Sequence, residues 1–252
     1  MTSPPLFNCR FPSYAKEICN KHVNVYWYHS QFSQSRYPPG QEISEACTLI
    51  CLLVAQRICQ AGLLICSIEN CPSFNILIAE AIVEGNSIHE WIVSQGLIPH
   101  PCLNTEEALK YGGRCLSILK EWKFRVFHEK IQGLSHNIKT FLQDWYKGPK
   151  SKNLFMLLIT CSRTVLFIFQ EVTYKVTLFD SHSHGAIKNP NRGLVVAQTT
   201  IDKLDLLCKW FIEDIFYSFY TIKADQYELA FLYQQRPSHC TTKASLCKCE
   251  TS

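Results

Sequence analysis

The chain has 252 residues, 47% hydrophobic and 18% charged. That is globular material, long enough to bury a full core without disulfides or metals, and it excludes a disordered tail. The formal net charge of +4 is scattered, with only short clusters such as Lys147 to Lys152, so no nucleic-acid footprint is expected.

The first residues, Met1-Thr2-Ser3-Pro4-Pro5, lack a basic stretch followed by an apolar run, so no signal peptide is expected. The expected location is intracellular, cytoplasmic or nuclear, where most of the fourteen cysteines stay as free thiols. Residues 1–40 read as an irregular segment, closed by the turn Tyr37-Pro38-Pro39-Gly40. Its aromatics, among them Phe7, Phe11, Tyr14, Tyr26, Trp27 and Tyr28, suit core packing or a partner surface.

A helix is expected from Ser44, with Ser44 as N-cap and Glu45 at the first helical position. Cys47, Cys51 and Val54 then recur at helical spacing. The apolar stretch from Ala46 to Cys66 is interrupted by Gln56, Arg57 and Gln60. It falls short of the roughly 20 residues a membrane span needs, and no membrane association is expected. A second helix, roughly Asn75 to Glu84, is expected to break at Gly85-Asn86 and resume through Trp91. A third opens at Asn104-Thr105-Glu106-Glu107, with a capping residue and early acids, and a fourth runs from Leu134 or Ser135 to about Tyr146.

The texture then turns β-rich. Leu154 to Thr160, Val165 to Gln170 and Val176 to Phe179 read as an antiparallel meander, with a fourth strand at Leu194 to Ala197. A helix from Thr199 or Thr200 to Glu213 and a last strand from Phe216 to Ile222 follow. Residues 236–252 read as a mobile polar tail. Helices first and strands later indicate an α+β fold, with the main domain over 41–235.

Two places carry potential chemistry. Gln41-Glu42-Ile43-Ser44-Glu45-Ala46-Cys47 puts a thiol in the first turn of an apolar helix. The free N–H groups and partial positive charge there favour a thiolate, and a nearby side-chain amide can donate to an oxyanion. Phe179-Asp180-Ser181-His182 ends a strand. Residues two apart share a face, so the Asp180 carboxylate can orient the His182 imidazole, completing a nucleophile, base and orienter.

The order of glutamine, cysteine at a helix start and strand-borne Asp-x-His resembles the papain-like ubiquitin-specific cysteine proteases of herpesvirus large tegument proteins, over roughly residues 40–215. The resemblance implies a papain-like α+β fold, a helical lobe packed on an antiparallel sheet, and cleavage after the C-terminal glycines of ubiquitin. It implies Cys47 as nucleophile, His182 as general base and acid, Asp180 as orienter and Gln41 as oxyanion donor, with ubiquitin or a ubiquitin-like protein as partner and no cofactor or metal. The sequence Ala46-Cys47-Thr48-Leu49-Ile50 is less polar than that family's, which leaves a rival: a catalytically inactive protein-interaction module on the same scaffold.

A third reading is a metal-dependent hydrolase, because Asp180-Ser181-His182-Ser183-His184 is a D-x-H-x-H string, with His128 or His136 as further ligands. Too few residues follow His184 for the roughly 200 that a barrel opened by such a motif needs. The tail residues His239, Cys240, Cys247 and Cys249 match no structural zinc spacing, and neither a Gly-x-Ser-x-Gly elbow nor a P-loop is present.

Overall fold

The computed structural model describes residues 12–185, 191–217 and 225–235. Its elements are β1 (Tyr14–Cys19), β2 (Val23–His29), α1 (Cys47–Ala61), α2 (Pro72–Ser94), α3 (Thr105–Tyr111), β3 (Leu119–Phe127), α4 (Leu134–Trp145), β4 (Asn153–Thr160), β5 (Arg163–Gln170), β6 (Lys175–Asp180), β7 (Arg192–Thr200), α5 (Leu204–Trp210, prolonged by a π-turn over Phe211–Phe216) and β8 (Tyr227–Gln234). The strands form one antiparallel sheet in the order β1-β2-β7-β6-β5-β4-β8-β3.

Helices cover both faces of this sheet. One core joins α1 and α2 to inward residues such as Phe155, Leu166, Ile168 and Phe179. The other joins α4 and α5 to the alternate residues, including Met156, Phe167, Leu178 and Phe231. Antiparallel strands usually alternate apolar and polar because one face meets water. Here β4, β5 and β6 are apolar almost throughout because neither face does.

α1 is the centre of the first layer. Twelve of its fifteen residues are buried, and it packs against α2, α3, β4 and β5. It starts two residues later than Ser44 as N-cap would place it: Ala46 is the N-cap residue and Cys47 the first helical residue. Ser44 instead spends its hydroxyl on Asn86 Oδ1, 2.7 Å away, and receives the Ala46 N–H.

Other expectations change as well. Gly85-Asn86 does not break α2, which runs unbroken for 23 residues. A Cβ at Gly85 would lie 2.6 Å from Ile50 Cγ1 and 3.3 Å from the Ile50 backbone nitrogen, so the glycine lets α1 approach. The segment expected to be irregular carries β1 and β2, and β2 pairs with β7. Four of the six β1 residues are exposed, typical of an edge strand with few apolar positions to betray it. Phe216 belongs to the π-turn, not a strand; the rest of that expected strand through Ile222 lies outside the described residues except Tyr217, which is helical. β3 and β8 add two strands beyond the expected meander. The expected tail over 236–252 also lies outside the described residues. Among the described residues, no helix is long and apolar enough to cross a membrane.

Candidate active site

The site forms where α1 begins and β6 ends. β6 delivers Asp180 into a fully buried position, and the chain then leaves the sheet through Ser181, His182, Ser183 and His184. The His182 Nδ1–H donates to Asp180 Oδ1 at 2.6 Å, and the His182 backbone N–H donates to the same oxygen at 3.0 Å. With Nδ1 so engaged, Nε2 is the nitrogen turned away from Asp180, and the Cys47 thiol and the His182 ring are close enough to shift each other's pKa. Cys47, His182 and Asp180 are thus brought together.

The neighbouring hairpin supplies the floor. β4 and β5 are joined by a two-residue turn whose residues, Cys161 and Ser162, both adopt left-handed backbone conformations, as primed hairpin turns require. That turn places Arg163 and Thr164 under the start of α1. Thr164 hydrogen-bonds Cys47 and shares a 2.7 Å contact with the Thr48 hydroxyl, while its carbonyl accepts from Cys51 at 3.6 Å.

The electrostatics form a relay of opposite charges. Burial by itself would raise Asp180, but the Arg163 guanidinium, then His182 and His184, hold its carboxyl well below the usual range. Burial would lower His182, yet the adjacent Asp180 carboxylate holds it above an ordinary histidine. Burial would raise Cys47; the hydrogen bond and charge of His182, with the Thr164 hydrogen bonds, bring the thiol below its ordinary value. By contrast Cys51, one turn further along the same helix, is pushed well up by burial. The arrangement favours a thiolate–imidazolium pair at Cys47 and His182 alone.

Gln41 sits in the loop six positions before Cys47. Its side-chain amide donates to the Ile43 carbonyl at 2.8 Å, and it lines a cavity of about 470 Å³ with residues including Ser44, Glu45, His89 and Glu90. None of Cys47, Asp180 and His182 lines that cavity. Another glutamine, Gln34, is held between the two halves of the site. Its Nε2 donates to the Ser44 carbonyl at 2.8 Å, and its Oε1 accepts from the Ser181 hydroxyl at 2.6 Å. Asn86 Nδ2 donates to the Gln34 carbonyl at 2.9 Å, fixing the same loop to α2. Gln34 was hidden because it sits in the segment read as irregular, with no periodic pattern around it.

His184 also reaches Asp180: its Nε2 lies 3.2 Å from Asp180 Oδ2, on the side opposite His182. The D-x-H-x-H string therefore turns both imidazoles onto one carboxylate instead of presenting three ligands outward. Among the described residues, no group of three or more His, Cys, Asp or Glu side chains is arranged to hold a metal ion.

The fold has solved counterparts. The ubiquitin-specific protease encoded by murine cytomegalovirus tegument protein M48, solved in complex with a ubiquitin-based suicide substrate, matches with a TM-score of 0.53 and 15% identity, over 84% of this chain and 88% of that one. The Pseudomonas avirulence protein AvrPphB matches with a TM-score of 0.41 and 12% identity, over 75% of this chain and 94% of that one, a likeness too slight to carry an argument. No protein-family model matches the sequence, and no curated protein does. At this identity the likeness shows the fold: α+β, papain-like, with helices packed on an antiparallel sheet.

Proposed function

We propose that the chain is a thiol hydrolase of the deubiquitinase kind, cutting the peptide or isopeptide bond that follows a ubiquitin-type C-terminus. The observation that carries this reading is the cluster of Cys47, His182 and Asp180, in which a buried thiol at a helix start lies beside a half-buried imidazole whose Nδ1 is held 2.6 Å from a buried carboxylate. The ubiquitin part rests on the M48 protease, which shares the fold and was captured with a ubiquitin-based substrate.

In this mechanism the Cys47 thiolate attacks the scissile carbonyl carbon, and the carbonyl electron pair moves onto oxygen. His182 gives its Nε2 proton to the departing amine as the tetrahedral intermediate collapses to a thioester. Neutral His182 then takes a proton from water, whose oxygen attacks the thioester and releases the acid and Cys47. Asp180 keeps the imidazole in the required tautomer and supports its protonated form. The oxyanion would be met by the Cys47 backbone N–H at the α1 start and by a side-chain amide. Gln34, pinned between Ser44 and Ser181, is a second candidate for that role beside Gln41.

A second reading, a binding module without turnover, is favoured by the slight exposure of Cys47, only 5% of its surface. One experiment separates them. Incubation with ubiquitin carrying a C-terminal propargylamide should attach ubiquitin to the wild-type chain, and Cys47→Ala should abolish the adduct while the chain stays folded. Labelling that persists in Cys47→Ala sinks the assignment; ubiquitin binding without any adduct supports the second reading.

A further inference from the structure

Asp180 is clasped by two histidines, and the chemistry above uses only one. We infer that His184 is a positioning residue: it holds the second oxygen of Asp180 so that the first stays aimed at His182. This rests on the thiol-hydrolase reading and adds a residue to it.

The geometry is specific. Asp180 is fully buried, and the His184 side chain is 1% exposed, so neither can turn to water. The carboxylate is planar, and Oδ1 already accepts from both the ring and the backbone of His182. Oδ2 points the other way, 3.2 Å from His184 Nε2 and off the straight hydrogen-bond line. An anion with one oxygen saturated and the other unopposed would rotate about χ2 toward any better donor; a fixed N–H on that side removes the incentive.

His184 is itself clamped. Its backbone N–H donates to the Arg192 and Gly193 carbonyls at 3.2 and 3.1 Å, tying it to the start of β7. Its ring meets Trp27 of β2 edge to face, with centroids 5.7 Å apart. The Arg192 guanidinium lies 3.9 Å over the Trp27 ring, and the Trp27 indole N–H donates to Glu17 at 2.9 Å. Three strands, β1, β2 and β7, thus fix a side chain that touches no reacting atom. The ionisable groups acting on it are Asp180, His182 and Arg163; burial lowers its pKa, outweighing Asp180, and so favours the neutral ring. The positioning role requires the tautomer with its proton on Nε2, the nitrogen that faces Asp180 Oδ2.

The test uses the full chain, with iodoacetamide as the thiol probe and ubiquitin bearing a fluorogenic C-terminal amide as substrate. His184→Leu removes the donor and His184→Gln keeps an N–H of similar reach. In the wild type, Cys47 should alkylate at lower pH than an ordinary thiol. His184→Leu should move that profile toward the ordinary thiol and lower kcat by about 3- to 10-fold, the scale of a modest hydrogen bond since the contact is off line, with KM little changed. His184→Gln should restore most of both. A folded His184→Leu chain with the wild-type profile and kcat overturns the positioning role and leaves the hydrolase reading standing. A wild-type Cys47 that alkylates as an ordinary thiol, with no turnover, overturns both. Should the variants fail to fold, two-bond ¹H–¹⁵N spectra of the native chain at and above about pH 6.5 decide the matter: a His184 proton on Nε2 supports the role, and one on Nδ1 overturns it.

Discussion

Gln34 and Ser181, 147 positions apart, are joined twice: the Gln34 backbone N–H donates to the Ser181 carbonyl at 2.9 Å, and the Ser181 hydroxyl donates to Gln34 Oε1 at 2.6 Å. The pair stitches the loop before α1 to the strand end that carries Asp180 and His182. Replacing Gln34 with Ala should therefore lower kcat for a ubiquitin amide by about 10² to 10³, the usual loss when an oxyanion donor is removed. Gln41→Ala should change it less than threefold, about the scale of a surface substitution. Steady-state kinetics of the two variants side by side check this; a larger loss at Gln41 would return the oxyanion role to that residue.

Asp180→Asn keeps the size of the side chain but lets an amide face the His182 ring, which favours the wrong tautomer. Loss of kcat by as much as about 10⁴ is expected from that change in other triads. Cys47 should at the same time lose its early alkylation, since the imidazolium that lowers its pKa is no longer supported. Mass spectrometry of the alkylated peptide at several pH values reads this directly.

The pKa directions fix the shape of the pH profile. Cys47 is lowered and His182 raised, so the reactive ion pair exists above the first value and below the second. Turnover should fall on the acid side as the thiolate is protonated, and on the alkaline side as His182 loses the proton the leaving group needs. Cys102, exposed on the surface and raised chiefly by burial, is the internal control and should alkylate only at higher pH.

Stability should respond to the same groups in opposite senses. His182, raised in the folded state, stabilises fully below about pH 6.5, its unfolded value, and that contribution fades as pH rises through its folded one. Asp180 is depressed, so its contribution is present above about pH 3.9 and lost as pH falls through its folded value. His184, also depressed, costs stability as pH falls below about 6.5. Thermal melts of wild type and His184→Gln should diverge on the acid side of neutrality, the variant losing less.

Gly193 offers a test of the scaffold. A Cβ there would lie 2.1 Å from the His29 carbonyl oxygen and 2.5 Å from that of Phe32, both backbone atoms that cannot swing aside. The contact arises where β2 shifts register against β7 and the following loop folds back so that the Leu194 N–H reaches the Phe32 carbonyl at 2.8 Å. Gly193→Ala should cost about 1–3 kcal/mol in denaturant unfolding and displace the loop that carries Gln34, lowering probe labelling with it. Unchanged stability would mean that the loop yields.

The Asp180-x-His182 pairing was legible from its spacing but not for the strand reason: β6 ends at Asp180, and an Asx-type turn, with the His182 backbone N–H donating to Asp180 Oδ1, brings the ring back to the carboxylate. The thiol at the α1 start was legible too, although its cap was misplaced, because Ser44 turned its hydroxyl to Asn86, a partner 42 positions away that no local rule foresees. Gln34, β1 and β3 escaped for a related reason. Edge strands and pinned loops owe their shape to distant partners, and their own polar residues resemble those of irregular segments. β8 escaped because a short apolar run, Leu229 to Tyr233, carries no period of its own until β3 and β4 flank it.

The sheathing of α1 also governs how the chain would look to an electrophile in solution. Cys51 on that helix and Cys208 on α5 are enclosed, whereas Cys66, Cys102 and Cys161 lie open. Native protein should thus consume reagent in separable waves, with the enclosed sulfurs silent until the helical layers part. Their appearance would time the opening of each layer, a clock already written into the molecule without any added label.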